Sequence, residues 1–226
     1  MPLKVVIGMK SSIRKKIVSI PTASLSDALD RLRIVSSMDH AIKSRTIDAK
    51  IVGPAVTIKD RLSQDENPPS KALEAIESAQ KGCVLVRAIE NVGQDEASNI
   101  GLFGGIMGLG SKMKGLSGAV IDAGTRDIIE CKEIGFPVFS RSVVPTTSIG
   151  RTEVVAINVP LKCGGIVVKP GDIVVGDLDG GVVIPEDKLC AVLEIAMEID
   201  MRERKVSMEL KKGTPVTKAV SKFSRI

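Results

Sequence analysis

The chain has 226 residues, 43% of them hydrophobic, and a formal net charge of +5. This is enough to bury a core in one large domain or two small ones, and it excludes a disordered chain. No apolar run approaches the roughly 18 residues of a membrane span, and the N-terminal MPLKVVIGMKSSIRKK lacks the apolar segment and cleavage site of a secretory signal, so a cytoplasmic protein with no membrane partner is expected.

The charge gathers at one end: residues 201–226 hold eight Lys/Arg against two Glu, and the remainder is about neutral. A basic tail can engage nucleic acid or an acidic protein. Trp and Tyr are absent and only four Phe exist, which argues against base-stacking platforms and against nucleic acid as a partner. The cysteines, Cys83, Cys131, Cys163 and Cys190, have no zinc or redox spacing, and three sit in apolar contexts as small buried hydrophobes. His40 is the single histidine, so a His-based metal site or triad is not expected. Any metal would be held by oxygen, which favours Mg²⁺ or Mn²⁺ over Zn²⁺.

In chain order, residues 10–18 read as a short basic helix. An amphipathic helix follows, with Ser24 or Ser26 as cap and Leu25, Ala28, Leu29 and Leu32 as its apolar face. Residues 49–59 read as a strand kinked at Gly53 and Pro54, and residues 60–70, with two prolines, as a polar loop. Residues 71–80 form a helix through Leu73, Ala75, Ile76 and Ala79, ended by Gly82. Residues 83–86 read as a buried strand, 90–96 as a polar loop, 127–133 as a short helix or turn, 137–139 as a strand and 143–150 as a loop.

From residue 151 the chain changes character. Short β-branched runs at 154–159, 165–168, 173–175 and 182–184 form a strand meander, with turn signals at Pro170-Gly-Asp172 and Asp179-Gly-Gly181. Asp172, Asp177 and Asp179 read as turn builders in preference to a metal cluster. Pro185-Glu-Asp187 opens a long helix closed by Gly213, with the stripe Leu189, Val192, Ala196, Ile199, Val206 and Leu210. Glu203 interrupts that stripe, and an acid in an apolar seam needs a partner or an exit to water. No linker divides the chain, so residues 1–226 form one α/β domain with an N-terminal extension at 1–19 and a basic tail at 213–226.

Residues 101–127, GLFGGIMGLGSKMKGLSGAVIDAGTRD, carry the chemistry. Gly104 and Gly105 open onto a helical segment at 106–114, residues 118–121 form a buried strand, and a turn at 122–125 delivers Arg126 and Asp127. Helix-start amides bind anions, and glycine admits close approach to them. An Arg beside an Asp offers a fork for a carboxylate and a hard oxygen for a cation. The combination predicts a pocket for a small anionic acid with a divalent metal. Glycine corners and Arg–Asp neighbours are more often structural, so the reading depends on the two parts meeting in space.

The chain resembles the RraA-like family over roughly residues 20–215. The resemblance rests on Ser24-Leu-Ser-Asp-Ala-Leu-Asp30, Gly53-Pro-Ala-Val-Thr57, Lys81-Gly-Cys-Val-Leu-Val86, Phe103-Gly-Gly-Ile106, Gly118-Ala-Val-Ile-Asp-Ala-Gly-Thr-Arg-Asp127, Phe136-Pro-Val138, Pro170-Gly-Asp172 and Asp177-Leu-Asp-Gly-Gly-Val-Val-Ile-Pro185, in order. It implies a swivelling β/β/α fold in trimers or pairs of trimers. It also implies one of two activities. Some members are Mg²⁺-dependent class II pyruvate aldolases that cleave 4-hydroxy-4-methyl-2-oxoglutarate and decarboxylate oxaloacetate. Others are regulators of ribonuclease activity that inhibit ribonuclease E. Older names call members demethylmenaquinone methyltransferases, but no glycine-rich cofactor loop follows a first strand here.

Carried over, the resemblance makes Asp127 the metal-facing residue and Arg126 the group that binds substrate oxygens and stabilises an enolate. The amides of Gly104, Gly105, Ile106 and Met107 would hold the substrate carboxylate, and Glu203 would reach a neighbouring subunit's pocket. Catalytic members carry an acid where this chain has Gly105, so the carboxylate behind metal-bound water is missing; Asp95 or Glu96 are candidate substitutes.

Overall fold

The structure, a computed structural model, describes Val6 and residues 8–223. Helices α1 (Ser11–Ser19) and α2 (Thr22–Arg31) come first. The expected Ser24 or Ser26 cap is absent: α2 starts at Thr22 behind Pro21, Ser24 is buried, and the Ser26 hydroxyl meets that of Ser37 at 2.9 Å. The first-turn amide of Thr22 instead donates to the Asp177 carboxylate at 3.3 Å, and the Thr22 hydroxyl bonds the same oxygen. The capping group thus comes from a distant turn, where no local pattern could reveal it.

The middle of the chain alternates short strands and helices: β1 (Lys43–Ser44), β2 (Ile51–Leu62), α3 (Ser70–Ser78), β3 (Val84–Ile89), α4 (Gln94–Ser98), β4 (Gly101–Phe103), α5 (Gly105–Met113), β5 (Gly118–Thr125), α6 (Ile128–Ile134) and β6 (Val138–Val143). The last third holds β7 (Thr152–Ile157), β8 (Leu161–Cys163), β9 (Ile166–Val168), β10 (Ile173–Asp177), β11 (Gly180–Ile184), a single 3₁₀ turn (Glu186–Lys188), α7 (Leu189–Lys211) and α8 (Val216–Lys222). The main sheet runs β1-β6-β5-β3-β2-β10-β11, with β4 beside β5 and β7 beside β2, while β8 and β9 form a separate hairpin. Strands β2, β3, β5 and β6 are parallel, joined by helical crossovers as parallel pairing demands. The fold is the mixed α/β architecture expected, with a curled sheet and a long C-terminal helix.

Strand β2 carries both parts of the sheet. Its first residues pair with β10, from Ile51↔Gly176 to Pro54↔Ile173, and its last with β7, from Ile58↔Ile157 to Leu62↔Thr152. Gly53 and Pro54 mark the changeover rather than a break, and Pro54, which has no N–H to donate, lies on the last rung with β10. Gly53 is required by space: a Cβ there would stand 2.0 Å from the Gly82 carbonyl oxygen.

Three strands run longer than the sequence suggests. Asp60 begins no loop; it is fully buried in β2 and receives Arg87 Nε at 2.8 Å and Nη2 at 2.6 Å. Arg87 prolongs β3 past residue 86 and also donates to the Leu102 carbonyl at 2.5 Å. Residues 122–125 are strand, not turn: β4 and β6 pair with Gly124 and Thr125, and the ion pair with Arg141 neutralises Asp122. On α3 the buried face is Ala72, Ala75 and Ile76, leaving Leu73 exposed. The turn reading of the aspartates holds, since Asp172 accepts the Lys169 amide at 2.8 Å and Asp177 the Asp179 amide at 3.1 Å.

One apolar cluster lies beneath α3 and α5, and includes Phe103 and Phe136 with ring centroids 6.0 Å apart. A second joins α1, α2 and α7 to β10 and β11; a third fills the sheet's other face beneath β8 and β9. The α7 stripe is buried at Val192, Ala196 and Ile199, half-buried at Val206 and exposed at Leu210, and Glu203 is exposed. In the N-terminal extension Ile17 is fully buried and Arg14 donates to the Val52 carbonyl at 3.3 Å. In the basic tail α8 folds back so that Lys222 pairs with Glu209 at 2.8 Å. Residues 1–5, 7 and 224–226 of these two segments lie outside the described residues. Among the described residues no helix is long and apolar enough to cross a membrane.

Candidate functional site

The site is made by two parallel strands that end at the same level. β3 pairs with the first part of β5, as far as Ala88↔Asp122, and β4 then takes over at Gly101↔Gly124 and Phe103↔Thr125. The Phe103 carbonyl receives the Arg126 amide at 2.9 Å and the Thr125 hydroxyl at 3.0 Å. Gly104 and Arg126 therefore leave the sheet side by side at the carboxyl ends of the strands, where open α/β sheets place their ligands. The two halves of the 101–127 stretch meet as the sequence predicts.

Asp127 precedes α6 in the left-handed region, at φ 55° and ψ 40°. That conformation is uncommon outside glycine and is best tolerated by Asp and Asn. The carboxylate does not cap its own helix; it turns to α5, where Oδ2 accepts the Gly105 amide at 3.0 Å and lies 3.3 Å from Arg126 Nε. Gly104 makes room for both side chains. A Cβ there would stand 2.5 Å from Asp127 Oδ2 and 3.2 Å from Arg126 Nε, while its φ of −154° is extended backbone open to any residue.

Gly101–Met107 and Arg126–Asp127 line one cavity of about 220 Å³, walled by Pro69, Leu73 and residues 147–149. Its size suits a small acid. Because the Gly105 amide is committed to Asp127, the helix-start amides left to a ligand are those of Ile106 and Met107, which lack intrahelical acceptors by position. Arg126 and Asp127 are each 41% exposed, so both can meet a solute. A larger cavity of about 580 Å³ between α2, α7 and α8 holds Glu203 with Asp27, Asp30 and Arg202, and shares no residue with the first. Within one chain Glu203 therefore does not join the site.

Asp127 is the carboxylate in the cavity lining that could hold a metal. Among the described residues there is no cluster of three or more His, Cys, Asp or Glu that could hold a metal alone. Mg²⁺ is commonly bound by one or two carboxylates, keeping water and taking further oxygens from substrate. Asp127 Oδ2 accepts the Gly105 amide and faces Arg126 Nε across the ion pair. His40 is 93% exposed beside Asp39 and does not line the cavity. Asp95 and Glu96 are exposed on α4 and also do not line it, so neither replaces a carboxylate missing at position 105.

Cys131 opens α6's buried side, its sulfur 3.2 Å from where a Cβ on Gly108 would lie. Burial, then the charges of Asp127 and Glu130, push its thiol up to about 11. The wall at Pro69 and residues 147–149 depends on loop packing and carries no local signal in the sequence.

The sequence profile of the RraA-like family, described as Aldolase/RraA, matches residues 22–183. The chain belongs to the RraA-like family. A relative from Halalkalibacterium halodurans, provisionally named 4-hydroxy-4-methyl-2-oxoglutarate aldolase, is 36% identical over 193 residues, covering 84% of this chain and 86% of its own. Among solved structures, an uncharacterized protein from Pseudomonas syringae pv. tomato superposes with a TM-score of 0.80 at 29% identity, covering 93% of this chain and 98% of its own. Streptomyces coelicolor RraAS2, described as an unusual member of the RNase ES inhibitor RraA protein family, superposes with a TM-score of 0.74 at 26% identity, covering 87% and 96%.

Proposed function

We propose that this RraA-like chain is a divalent-metal-dependent lyase acting on a small 2-keto acid, as an aldolase of the 4-hydroxy-4-methyl-2-oxoglutarate type, an oxaloacetate decarboxylase, or both. The observation that carries the reading is the convergence of Arg126, Asp127 and the start of α5 on one small cavity. Asp127 would hold Mg²⁺ or Mn²⁺. When bound, the ion supplies Lewis-acid charge to the keto and carboxylate oxygens of the substrate.

The chain's own groups divide the remaining work. The amides of Ile106 and Met107 receive the substrate carboxylate at the positive end of α5. Arg126 donates to the keto oxygen, where negative charge grows as the carbon–carbon bond breaks. In aldol cleavage the hydroxyl of the departing carbon gives its proton to water as the carbon–carbon bonding pair moves into the enolate, and the other fragment leaves as a second keto acid. In decarboxylation no such proton is lost, and the other fragment leaves as CO₂. Protonation at carbon then yields pyruvate. No histidine lines the cavity, so that proton comes from water.

The test is a screen of 2-keto acids for pyruvate release, with Mg²⁺ or Mn²⁺ against a chelator. Metal-dependent release is expected from the native chain, and Arg126→Ala should lose nearly all of it while melting as the native protein does. Undiminished turnover in that variant would overturn the assignment.

A regulatory reading is favoured by the likeness to RraAS2 and by the basic tail. Under it the chain binds and inhibits a ribonuclease without catalysis. Pull-down of a ribonuclease by the full chain, lost without residues 213–226 and indifferent to chelator, would support this reading and displace the first. Under either reading the chain is expected to form a homotrimer or homohexamer, with Glu203 approaching a neighbour's cavity.

A further inference from the structure

Leu73 sits where a leucine gains little from its own fold. Helix α3 buries Ala72, Ala75 and Ile76 and leaves Leu73 exposed. The side chain lines the cavity that holds Arg126 and Asp127, and exposed Ile149 and Pro69 line the same cavity. Apolar side chains left beside a cavity gain free energy when an apolar part of a ligand covers them.

This wall is fixed in place. The loop that carries Thr147, Ser148 and Ile149 is tied at both ends. At its start the Thr146 hydroxyl accepts the Gly101 amide at 3.2 Å and donates to the Asn99 carbonyl at 2.7 Å. Gly101 permits that approach, since a Cβ there would stand 2.2 Å from the Thr146 carbonyl oxygen. At its end the Gly150 amide donates to the Asp65 carbonyl at 3.0 Å, and the Arg151 carbonyl accepts the Ser63 amide at 2.9 Å. Pro69 and Leu73 stand at the start of α3, Pro69 immediately before its first residue. A wall so held can discriminate by size.

Charge offers the site little further choice. Among the described residues Arg126 is the only Lys or Arg that lines the cavity. Nearby Arg151 turns Nη1 to the carbonyls of Thr147 and Ile149, at 3.3 Å and 3.5 Å. Beyond the Arg–Asp corner and the start of α5, the wall offers the hydroxyls of Thr147 and Ser148 and the three apolar side chains.

We infer that Pro69, Leu73 and Ile149 form an apolar subsite for an alkyl branch on the departing carbon of the substrate, and that Leu73 sets the size of branch accepted. The inference rests on the lyase reading above and narrows it to 4-hydroxy-2-keto acids that carry an alkyl group at C4. In their cleavage the C3–C4 bond breaks and its pair passes to C3 as the enolate. The C4 hydroxyl gives its proton to water as C4 becomes a ketone, and water returns a proton to C3. The products are pyruvate and a ketone that keeps the branch.

The experiment compares three substrates of one reaction, 4-hydroxy-2-oxoglutarate and its 4-methyl and 4-ethyl derivatives, with oxaloacetate as reference. The kcat/KM for pyruvate release by the full chain is measured with Mg²⁺. The native chain should favour the methyl compound over the unbranched one by about 10-fold or more, the lower end of what one carbon is worth in an apolar pocket. Leu73→Ala should shift the preference toward the ethyl compound and Leu73→Phe toward the unbranched one. Both variants should melt as the native protein does, because Leu73 lies outside the buried face of α3. Equal values for the three substrates, or Leu73 variants that change all three by one factor, would overturn the alkyl subsite and leave the lyase standing. Pyruvate from oxaloacetate and from none of the three would do the same. No pyruvate from any of the four overturns the lyase reading and this inference with it.

Discussion

Replacing Asp127 by asparagine separates its structural duty from its chemical one. Asn tolerates the left-handed backbone and still offers an oxygen to the Gly105 amide, so stability should change by no more than about 1 kcal/mol in a urea melt. The charge is gone, so divalent-ion binding and lyase turnover should both vanish. A protein that unfolds instead would mark Asp127 as a helix cap alone. Arg87 is the opposite case. It is 1% exposed, paired with fully buried Asp60, and tied to the Leu102 carbonyl of β4, the strand that leads into Gly104. Arg87→Leu strands a buried carboxylate and should cost about 3–5 kcal/mol, read as a lowered urea midpoint. At this scale the sequence reveals residues whose meaning is local. Gly104, Arg126 and Asp127 announce themselves by type and neighbourhood. Arg87 does not, because its partner Asp60 lies on another strand and is brought to it only by the sheet.

The junction of β4 with α5 is held open by a missing methyl group. Gly104→Ala should push the carboxylate of Asp127 and the stem of Arg126 aside, since the new atom would lie 2.5 Å from one and 3.1 Å from the other. The extended backbone accepts alanine, so circular dichroism should stay native while turnover falls sharply. Thiol reactivity reports on the neighbouring elements. Cys83 in front of β3, Cys131 on α6 and Cys163 on β8 are buried and their thiols are pushed up chiefly by burial, whereas Cys190 on α7 is exposed. The thiolate is the reactive form. Native protein at pH 8 should therefore take up one equivalent of a thiol reagent, at Cys190, and denatured protein four. Element type and order were largely readable, because the apolar runs and glycine stops are strong. Element length was not. Asp60, Arg87 and Asp122 look like strand ends, yet each is carried inside by an opposite charge from another strand.

The whole molecule leaves apolar side chains uncovered beside the site. Ile106, Leu109 and Met113 form one face of α5, and Ile129 stands close in sequence on α6; Ile106 is 82% exposed and Met113 78%. Apolar groups gathered around a cavity are commonly a subunit contact. A second copy of the chain would cover them under the expected homo-oligomer, and would allow Glu203 to approach a site its own chain does not offer it. Light scattering should then give a multiple of 23.9 kDa. Met113→Glu should lower that mass and turnover together, and a monomeric native chain would remove Glu203 from the site.

The double partnership of β2 bears on how the protein comes into being. Its neighbours are drawn from residues 84–89, 152–157 and 173–176, so most of its ladder waits on chain made more than ninety residues later. During synthesis the central strand stays half-dressed until β10 has cleared the ribosome. Contacts so distant in sequence slow folding. Nascent chains halted before Ile173 should therefore remain open to proteases, while those released beyond Lys211 should become resistant in one step.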